Sequence, residues 1–332
     1  MPDMKLVHVL SMVFWICCAM VNRAAAQLAD VQNYPARTLR IVVPVSPGGA
    51  TDIFARTLAQ GLSQSWGQQV IVDNRPGAGG IIGSELVAKA VPDGYTLLMA
   101  YTSHVTNPSL WQRLPYDTLR DFSPVTMVAT VPAVLIAHPS LPVRSVTELI
   151  RFAKRRPHDI DYASSGIGTA SHLAAELFAQ RSGLFLSHIP YKGGSPALYE
   201  LLGGQVSIMF GSLVTAMPQL RNRRIRILGV TTLARSPAAP QLPTLAESGL
   251  PGFEAVAWFA LLAPARVPGT VIDKLHSEST AYLGAASMRR RFAAQGADIT
   301  LSTPEALNGR IRAELGKWSQ VIRAAGIAPQ AR

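Results

Sequence analysis

The stretch from Ile41 to Asp52 reads I-V-V-P-V-S-P-G-G-A-T-D. Its apolar, β-branched beginning predicts a strand, Ser-Pro-Gly-Gly predicts a turn, and the Thr-Asp pair opens a helical pattern. Glycines in the turn remove Cβ atoms and let a ligand approach the backbone. The first N–H groups of a helix lack internal partners and carry partial positive charge. The stretch therefore predicts either a seat for an anion, such as a carboxylate or phosphate, or a tight turn without a ligand.

This strand–turn–helix unit recurs along the chain, and the alternation of strands with helices predicts a parallel α/β sheet. Gly-rich or Ser/Thr-rich turns follow the predicted strands near residues 46–51, 76–80, 101–104, 164–169, 191–195 and 211–212. Ligands of open parallel sheets bind outside the carboxyl ends of the strands, where such turns gather. The recurrence favours a ligand site, formed by two α/β units that face each other across a cleft lined by backbone N–H groups and small hydroxyls.

The chain has 332 residues, of which 48% are hydrophobic and 15% charged, which predicts two domains with substantial cores. Apolar runs at 126–137 and 256–263 are candidates for strands that cross between the domains. Three helical patterns follow residue 268 and are expected to pack on the sheet of the first domain. Thr303 is suited to cap the last of these helices.

The N-terminus has the pattern of a secretory signal peptide over residues 1–26, with an apolar run at 6–21 and small residues ending at Ala26. A retained membrane anchor is the alternative, although the run is near the short end for a span. Both cysteines, Cys17 and Cys18, lie in this run behind bulky residues that disfavour lipidation. Cleavage near Ala26 would leave a periplasmic chain without disulfides, Cys–zinc sites or Cys nucleophiles.

The net charge of +11 raises the question of a nucleic acid partner. The basic residues are scattered, and their clusters at 151–156, 221–226 and 289–291 lie in or after helical patterns, which indicates solvated faces. An exported protein also has little access to DNA, so no nucleic acid partner is expected. A weak general attraction of anionic solutes or membrane surfaces is consistent with the charge.

Motifs of catalysis and of metal binding are missing from the sequence. The dinucleotide pattern G-x-G-x-x-G fails twice, because Ile82 and Ser171 stand where the last glycine belongs. There is no P-loop, no G-x-S-x-G and no H-E-x-x-H, and the histidines lack metal-ligand spacing. His172, directly after a Gly/Ser turn, either reaches a ligand or packs with one hydrogen bond. We expect no catalysis, cofactor or metal; the alternative is an α/β enzyme acting on a small carboxylate or phosphate.

Four segments carry a resemblance to a known family. They read P-V-S-P-G-G-A-T-D-I-F-A-R from Pro44, G-Q-Q-V-I-V-D-N-R-P-G-A-G-G-I-I-G from Gly67, Y-A-S-S-G-I-G-T-A-S-H-L from Tyr162 and I-P-Y-K-G-G-S-P-A-L from Ile189. In this order they resemble the Bug family, the periplasmic solute receptors of the tripartite tricarboxylate transporter type. The resemblance covers essentially all of residues 34–332.

The resemblance implies a two-domain periplasmic binding protein of a type II-like α/β fold, with parallel-dominated sheets, flanking helices and two crossover strands. Domain 1 would comprise 34–131 and 257–332, and domain 2 would comprise 132–256. The domains would close on a small mono- or dicarboxylate by a hinge near Thr130–Ala133 and Val256–Phe259. The receptor would be a monomer that serves a tripartite-type membrane permease or a sensor protein.

The resemblance also implies which residues bind the carboxylate, largely through backbone amides and ordered water. The first domain would contribute Pro47, Gly48, Gly49, Thr51, Asp52, Gly79, Gly80, Thr102 and Ser103. The second would contribute Ser165, Gly166, Gly168, Thr169, Ser171, Lys192, Gly193, Gly194 and Ser212. Asp52 has the alternative of capping its own helix, and Lys192 that of facing solvent. Gly211 departs from the family pattern, which often has aspartate there, and this puts an amino-bearing ligand in doubt.

Overall fold

The computed structural model of the chain describes residues 33–191, 193–237, 239–294 and 296–330. The predicted signal peptide at 1–26 and the candidate site residue Lys192 lie outside the described residues. Within these ranges, no helix is both long enough and apolar enough to cross a membrane.

Strands and helices alternate in the first part of the chain, as predicted. The elements are β1 (Leu39–Val43), α1 (Ala50–Trp66), β2 (Val70–Asn74), a 3₁₀ turn (Ala78–Gly80), α2 (Ile81–Ala88), β3 (Thr96–Tyr101), α3 (Ser103–Leu110) and β4 (Phe122–Ala137). The helix α1 ends at Gly67, whose φ of 64° lies in the left-handed region that helix C-termini favour.

The alternation continues after β4, and three helices end the chain. The elements are α4 (Val146–Lys154), β5 (Asp161–Ser164), α5 (Ala170–Ser182), β6 (Ser187–Pro190), α6 (Gly194–Leu202), β7 (Ile208–Ser212), α7 (Leu213–Arg221), β8 (Arg226–Val230), β9 (Val256–Pro264), α8 (Gly269–Gly284), α9 (Ala286–Ala294) and α10 (Pro304–Ala324). Thr303 caps α10 as predicted, because its Oγ1 accepts a hydrogen bond of 3.2 Å from the N–H of Ala306.

The strands form one sheet in the order β2-β1-β3-β9-β4-β7-β5-β6, and β8 also pairs with β4. β1 is parallel to β2 and β3, and β5 is parallel to β6 and β7. β4 and β9 are antiparallel to each other and to their outer neighbours β7 and β3. The sheet is therefore mixed. The expected dominance of parallel pairing holds on each side of the two long strands but not for those strands themselves.

The strand β4 is shared between two groups of strands. Residues Phe122–Pro132 pair with β9, whereas Ala133–Ala137 pair with β7. We refer to β1–β3, β9 and their helices as the first half, and to β5–β8 and their helices as the second half. The change of partner between Pro132 and Ala133 falls inside the predicted hinge. The exact domain limits and the hinge motion stay predictions.

The register of the long strands brings the carboxyl ends of both parallel groups together. β3 ends at Tyr101, which pairs with Phe259, and Phe259 pairs with Ala129 of β4. β7 runs in the opposite direction and ends at Ser212, which pairs with Ala133 of β4. The turns that follow the parallel strands of the two halves therefore converge on residues 129–133 from opposite sides.

Two helices were not predicted from the sequence. The helix α3 begins inside the turn predicted at 101–104, and α7 begins directly after the turn predicted at 211–212; each contains a proline, Pro108 or Pro218. The helix α3 has no regular apolar period, whereas α7 has apolar residues at helical spacing, at 213, 216, 217 and 220, which the sequence analysis did not use. Burial of Val105 and Leu110 against the core explains why α3 forms despite its weak local pattern.

The last of the C-terminal helices, α10, joins the two halves, so the tail does not pack on the first half alone. α8 packs against α1 and β4, as predicted for the tail. α10 buries Leu307, Ile311 and Trp318, and it packs against α3, β4 and also α5 of the second half. The last helix thus holds α3 and α5 close together, beside the place where the turns converge.

Candidate ligand-binding site

The turn before α1 is open on its outer side. Gly48 has a φ of +86°, and a Cβ atom built on Gly48 or Gly49 would have no neighbour within 4 Å. Among the described residues, no acceptor binds the backbone N–H groups of Gly49, Ala50, Thr51 and Asp52. Pro47 is exposed beside them. The turn therefore presents a set of free amides at the positive end of a helix.

The side chain of Asp52 supports this turn from inside. Its Oδ2 accepts hydrogen bonds from the N–H of Gly48 at 3.0 Å and from Nε of Arg56 at 2.9 Å, and its Oδ1 accepts from Nδ2 of Asn74 at 3.0 Å. Burial alone would raise the pKa of the Asp52 carboxyl, but the bonds from Arg56, Gly48 and Asn74 hold it below its usual value. Both carboxylate oxygens are thus engaged within the protein. The backbone amide that Asp52 accepts is that of Gly48, before the helix, so Asp52 holds the turn and does not cap the first amides of α1.

Replacing Asp52 with alanine should therefore act on the fold as well as on binding. The change removes one acceptor from three donors, and we expect it to lower the free energy of unfolding by about 2 kcal/mol, measured by urea denaturation. Asp73→Ala is the matched control, because Asp73 pairs with the half-exposed Arg75 and should cost less than about 1 kcal/mol. Equal losses for the two variants would contradict the supporting role of Asp52.

The predicted first-half residues 79, 80, 102 and 103 are occupied by structural contacts. The carbonyl oxygen of Gly79 accepts from the hydroxyl of Tyr101 and from Nδ2 of Asn107, each at 3.1 Å. Gly80 is buried with a φ of +91°. Thr102 and Ser103 are also buried, and Oγ1 of Thr102 accepts from the N–H of Trp258 in β9 at 3.3 Å. These residues fix the turn to the crossover strand.

In the second half, hydroxyl groups organise the turn before α5. The Oγ of Ser171 accepts from the N–H of Ser165 at 2.8 Å and lies 3.0 Å from Oγ1 of Thr169. Thr169 in turn donates to the carbonyl oxygen of Gly166 at 2.7 Å. In the part of the chain that the structure describes, the N–H groups of Ala170, Ser171 and His172 have no acceptor. The second turn thus presents free helix N-terminal amides, like the first.

The neighbouring turns of the second half lie beside this one. Gly193 has a φ of +129°, and a Cβ atom on Gly194 would lie 3.5 Å from Oγ of Ser165. The N–H of Tyr191 donates to the carbonyl oxygen of Ser164 at 3.0 Å. The predicted Gly193 and Gly194 are therefore close to the turn of α5, whereas Lys192, directly before them, lies outside the described residues.

The remaining predicted residue, Ser212, caps the helix that follows it, because its Oγ accepts from the N–H of Val214 at 3.2 Å. Gly211 before it is buried, and a Cβ atom there would lie 2.8 Å from Cδ1 of Ile136. A side chain at position 211 would thus point at a core residue of β4 in the present geometry.

The two halves touch at the turn before α5. Oγ1 of Thr106 in α3 donates to the carbonyl oxygen of Gly168 at 2.9 Å. A Cβ atom on Gly168, whose φ is +74°, would lie only 1.9 Å from Cδ1 of Leu110. Sequence reasoning missed Thr106 and Leu110, because they lie in a helix that it did not predict. The glycine at 168 lets α3 approach the backbone of the second half.

Three stacked rings lie behind the same turn. The ring centroids of His172 and His188 are 4.1 Å apart, those of His188 and Tyr162 are 4.8 Å apart, and all three planes are within 16° of parallel. Nδ1 of His172 accepts from the N–H of Gly168 at 3.0 Å. The packing alternative for His172 is thus the one observed. Among the described residues there is no group of His, Cys, Asp or Glu that could hold a metal ion.

Comparison with known proteins assigns this architecture. Residues 54–327 match the model of the "Tripartite tricarboxylate transporter family receptor". The chain is 40% identical to Protein BugT of Bordetella pertussis over 316 residues, which cover 95% of this chain and 96% of that protein. It is also similar to two solved structures. "R. palustris Rpa4515 with adipate" has 37% identity and a TM-score of 0.85, covering 90% of this chain and 100% of that one. "MatC (Rpa3494) from Rhodopseudomonas palustris with bound malate" has 30% identity and a TM-score of 0.80, covering 87% and 100%.

The sheet is divided by two antiparallel crossover strands, and free helix N-termini converge on the middle of these two strands. This is the fold of a periplasmic solute-binding protein. The chain belongs to the tripartite tricarboxylate transporter receptor family, which confirms the resemblance to the Bug receptors.

Proposed function

We propose that this protein captures a small mono- or dicarboxylate between its two halves, for uptake or sensing. The observation that carries the proposal is the pair of free helix N-termini, of α1 and α5, on opposite sides of the middle of β4. Each amide that points at a carboxylate oxygen would give a charge-assisted hydrogen bond of about 1.5–3 kcal/mol. The bound adipate and malate of the two similar structures, both dicarboxylates, support this ligand class.

The site residues predicted from the sequence divide into two roles in this proposal. The amides of residues 49–52 and 170–172 would contact the carboxylate. Asp52, Thr102, Ser171 and Ser212 would hold the turns, since their side-chain oxygens already accept hydrogen bonds from the backbone or from neighbouring side chains. A pocket of amides without an arginine clamp would accept small acids of several shapes, because the backbone recognises the carboxylate and not the rest of the ligand.

Location and partners follow the family. The mature chain would begin near residue 27 in the periplasm, act as a monomer, and deliver its solute to a tripartite-type membrane permease or signal its presence to a sensor. We propose that it performs no catalysis, since its family is of the receptor type.

Isothermal titration calorimetry with adipate and malate tests the proposal, with the neutral diamide of adipate as the matched control ligand. We expect one site per chain for an acid and no heat for the diamide. A ligand at 100 times its Kd should raise the free energy of unfolding by about 2.7 kcal/mol, seen as a rise in Tm. No heat and no Tm shift with a wider panel of organic acids would contradict carboxylate binding.

Proline substitutions test the free amides themselves. Ala50 and Ala170 are the first residues of their helices, where proline fits, and the preceding Gly49 and Thr169 have the extended backbone that proline requires. Ala50→Pro and Ala170→Pro each remove one free N–H, and we expect each to lower the affinity for the bound acid about ten-fold with little change in Tm. Gly269→Pro, at the first position of α8, is the control and should leave the affinity unchanged. Unchanged affinity in both site variants would exclude these helix N-termini from the ligand contacts.

A further inference from the structure

Behind the turn of α5, two histidines connect the ring stack to the turn backbone. His172 accepts the N–H of Gly168 at Nδ1, and Nε2 of His188 lies 2.6 Å from Oγ of Ser164. That hydroxyl also accepts the N–H of Gly166 at 3.1 Å. Two of the turn's amides are therefore held, directly or through one hydroxyl, by the stacked imidazoles.

The bond to His172 determines where the other amides of the turn point. Gly168 has a left-handed φ of +74°, and its carbonyl oxygen accepts from Thr106 of the first half. Its N–H is turned inward to Nδ1 of His172, so the peptide groups on both sides of Gly168 are each held by one hydrogen bond. The N–H groups of residues 170–172, which immediately follow, are left without an acceptor among the described residues. Release of the Gly168 N–H would let the peptide rotate and change the direction of those amides.

We propose that His172 is the positioning residue of the second half of the binding site: by accepting the Gly168 amide at Nδ1, it holds the turn in the conformation that presents the α5 amides to a carboxylate. This rests on the proposed function for the nature of the ligand. The ring of His188 stacks on the ring of His172, and the ring of Tyr162 stacks on that of His188.

The role requires a neutral His172, because a protonated ring carries a hydrogen at Nδ1 and cannot accept there. His172 is 3% exposed, and burial, with the neighbouring His188 as a second cause, lowers the pKa of its ring to about 3. Burial also lowers the pKa of His188 to about 4. The titratable groups facing the pair are Tyr162 of β5 and Glu176 of α5, which bond to each other at 2.5 Å; Oε1 of Glu176 lies 3.7 Å from Nε2 of His172. The acceptor is thus available throughout the neutral range.

The experiment compares two substitutions of His172, one that keeps a hydrogen-bond acceptor and one that removes it. Asparagine places an acceptor oxygen near the position of Nδ1, whereas phenylalanine fills the space without any acceptor. We expect His172→Asn to bind adipate or malate within about three-fold of the unsubstituted protein, and His172→Phe to bind at least ten-fold more weakly. His158→Phe, at an exposed histidine that stacks on Phe185, is the control and should not change affinity.

Two measurements on the ligand-free protein separate this inference from the proposed function. In ¹⁵N-detected NMR, His172 should show an unprotonated, hydrogen-bonded Nδ1 that does not change between pH 5.5 and pH 8. Hydrogen exchange at the Gly168 amide should be slow in the unsubstituted protein and in His172→Asn, and at least ten-fold faster in His172→Phe.

The outcomes are distinct. Slow exchange that depends on the acceptor, without binding of any acid, would refute the carboxylate proposal and show that His172 orders the turn for another ligand. Acid binding that is equally strong in His172→Asn and His172→Phe would overturn the positioning role. Equal weakening in both variants would also overturn it, since only packing would then explain the loss.

Discussion

Gly168→Ala should abolish most of the affinity for a carboxylate, with a loss of at least ten-fold and a decrease of about 3 kcal/mol in the free energy of unfolding. The added Cβ would lie 1.9 Å from Cδ1 and 3.3 Å from Cγ of Leu110, which is 1% exposed and packed in the core. The φ of +74° adds the strain of a left-handed residue. The substitution therefore pushes α3 away from the turn and breaks the approach of the two halves.

Gly183→Ala separates the contact from the backbone strain. Gly183 lies at the other end of α5, the helix that follows Gly168, and has a φ of +65°. A Cβ atom on Gly183 would have no neighbour within 4 Å. Gly183→Ala should lower the free energy of unfolding by only about 1 kcal/mol and leave the affinity for a carboxylate unchanged. Combining Gly168→Ala with Leu110→Ala should restore part of the affinity, since the second change removes the colliding methyl groups. Equal behaviour of the two glycine variants would show that α3 does not limit the closure of the site.

Acidification from pH 7 to pH 5 should lower the free energy of unfolding by several kcal/mol. Burial lowers the pKa of His104, His172 and His188 to about 4, 3 and 4, below the value of about 6.5 expected in the unfolded chain. Over this window the unfolded chain binds protons that the native protein does not, so stability rises with pH and is lost as the pH falls below 6.5. At pH 5, the fully buried His104 and His172 each account for up to about 2 kcal/mol of this loss, and the half-buried His188 accounts for less.

His104→Leu isolates one share of this effect. His104 is 2% exposed, and neither ring nitrogen has a hydrogen-bond partner in the described part of the chain. Leucine removes a buried polar group, so stability at pH 7 should be equal or higher, and the loss between pH 7 and pH 5 should shrink by about 2 kcal/mol. Urea denaturation at both pH values measures this, with His158→Leu at the surface as control. An unchanged pH dependence in His104→Leu would contradict a neutral, buried His104.

The fold was largely predictable because its units are local. The β1–turn–α1 unit, the cap at Thr303 and the crossover runs each depend on a short pattern, and their bounds agree with the structure within a few residues. The helix α3 was missed because S-H-V-T-N-P-S-L has no helical apolar period, and its stability comes from burial by distant segments. The antiparallel pairing of β4 with β9 was not predictable either, because an apolar run does not indicate the direction in which its strand pairs with a neighbour.

The turns of the candidate site were predictable in position, but the roles of their side chains were not. Glycines and hydroxyls near strand ends indicated the turns before α1 and α5, whose first amides are free among the described residues. Whether Asp52 faces a ligand or its own turn depends on Arg56 and Asn74, which only the folded chain brings to it. The Thr106–Gly168 bond joins residues 62 positions apart, and the stack of His172 on His188 joins two separate elements. Such contacts leave no mark in a local pattern.

The place of β9 between β3 and β4 has a consequence for the order of events during synthesis. The sheet of the first half cannot be completed until residues 256–264 have been made, although β1, β2 and β3 lie within residues 39–101. The strands β5 to β8 and their partner segment of β4 are contiguous within residues 133–230. Contacts between near neighbours in sequence form faster than distant ones. We therefore expect the second half to form its native strand pairs first, although it is synthesised later. Until β9 has been made, β3 would be an edge strand that lacks its partner.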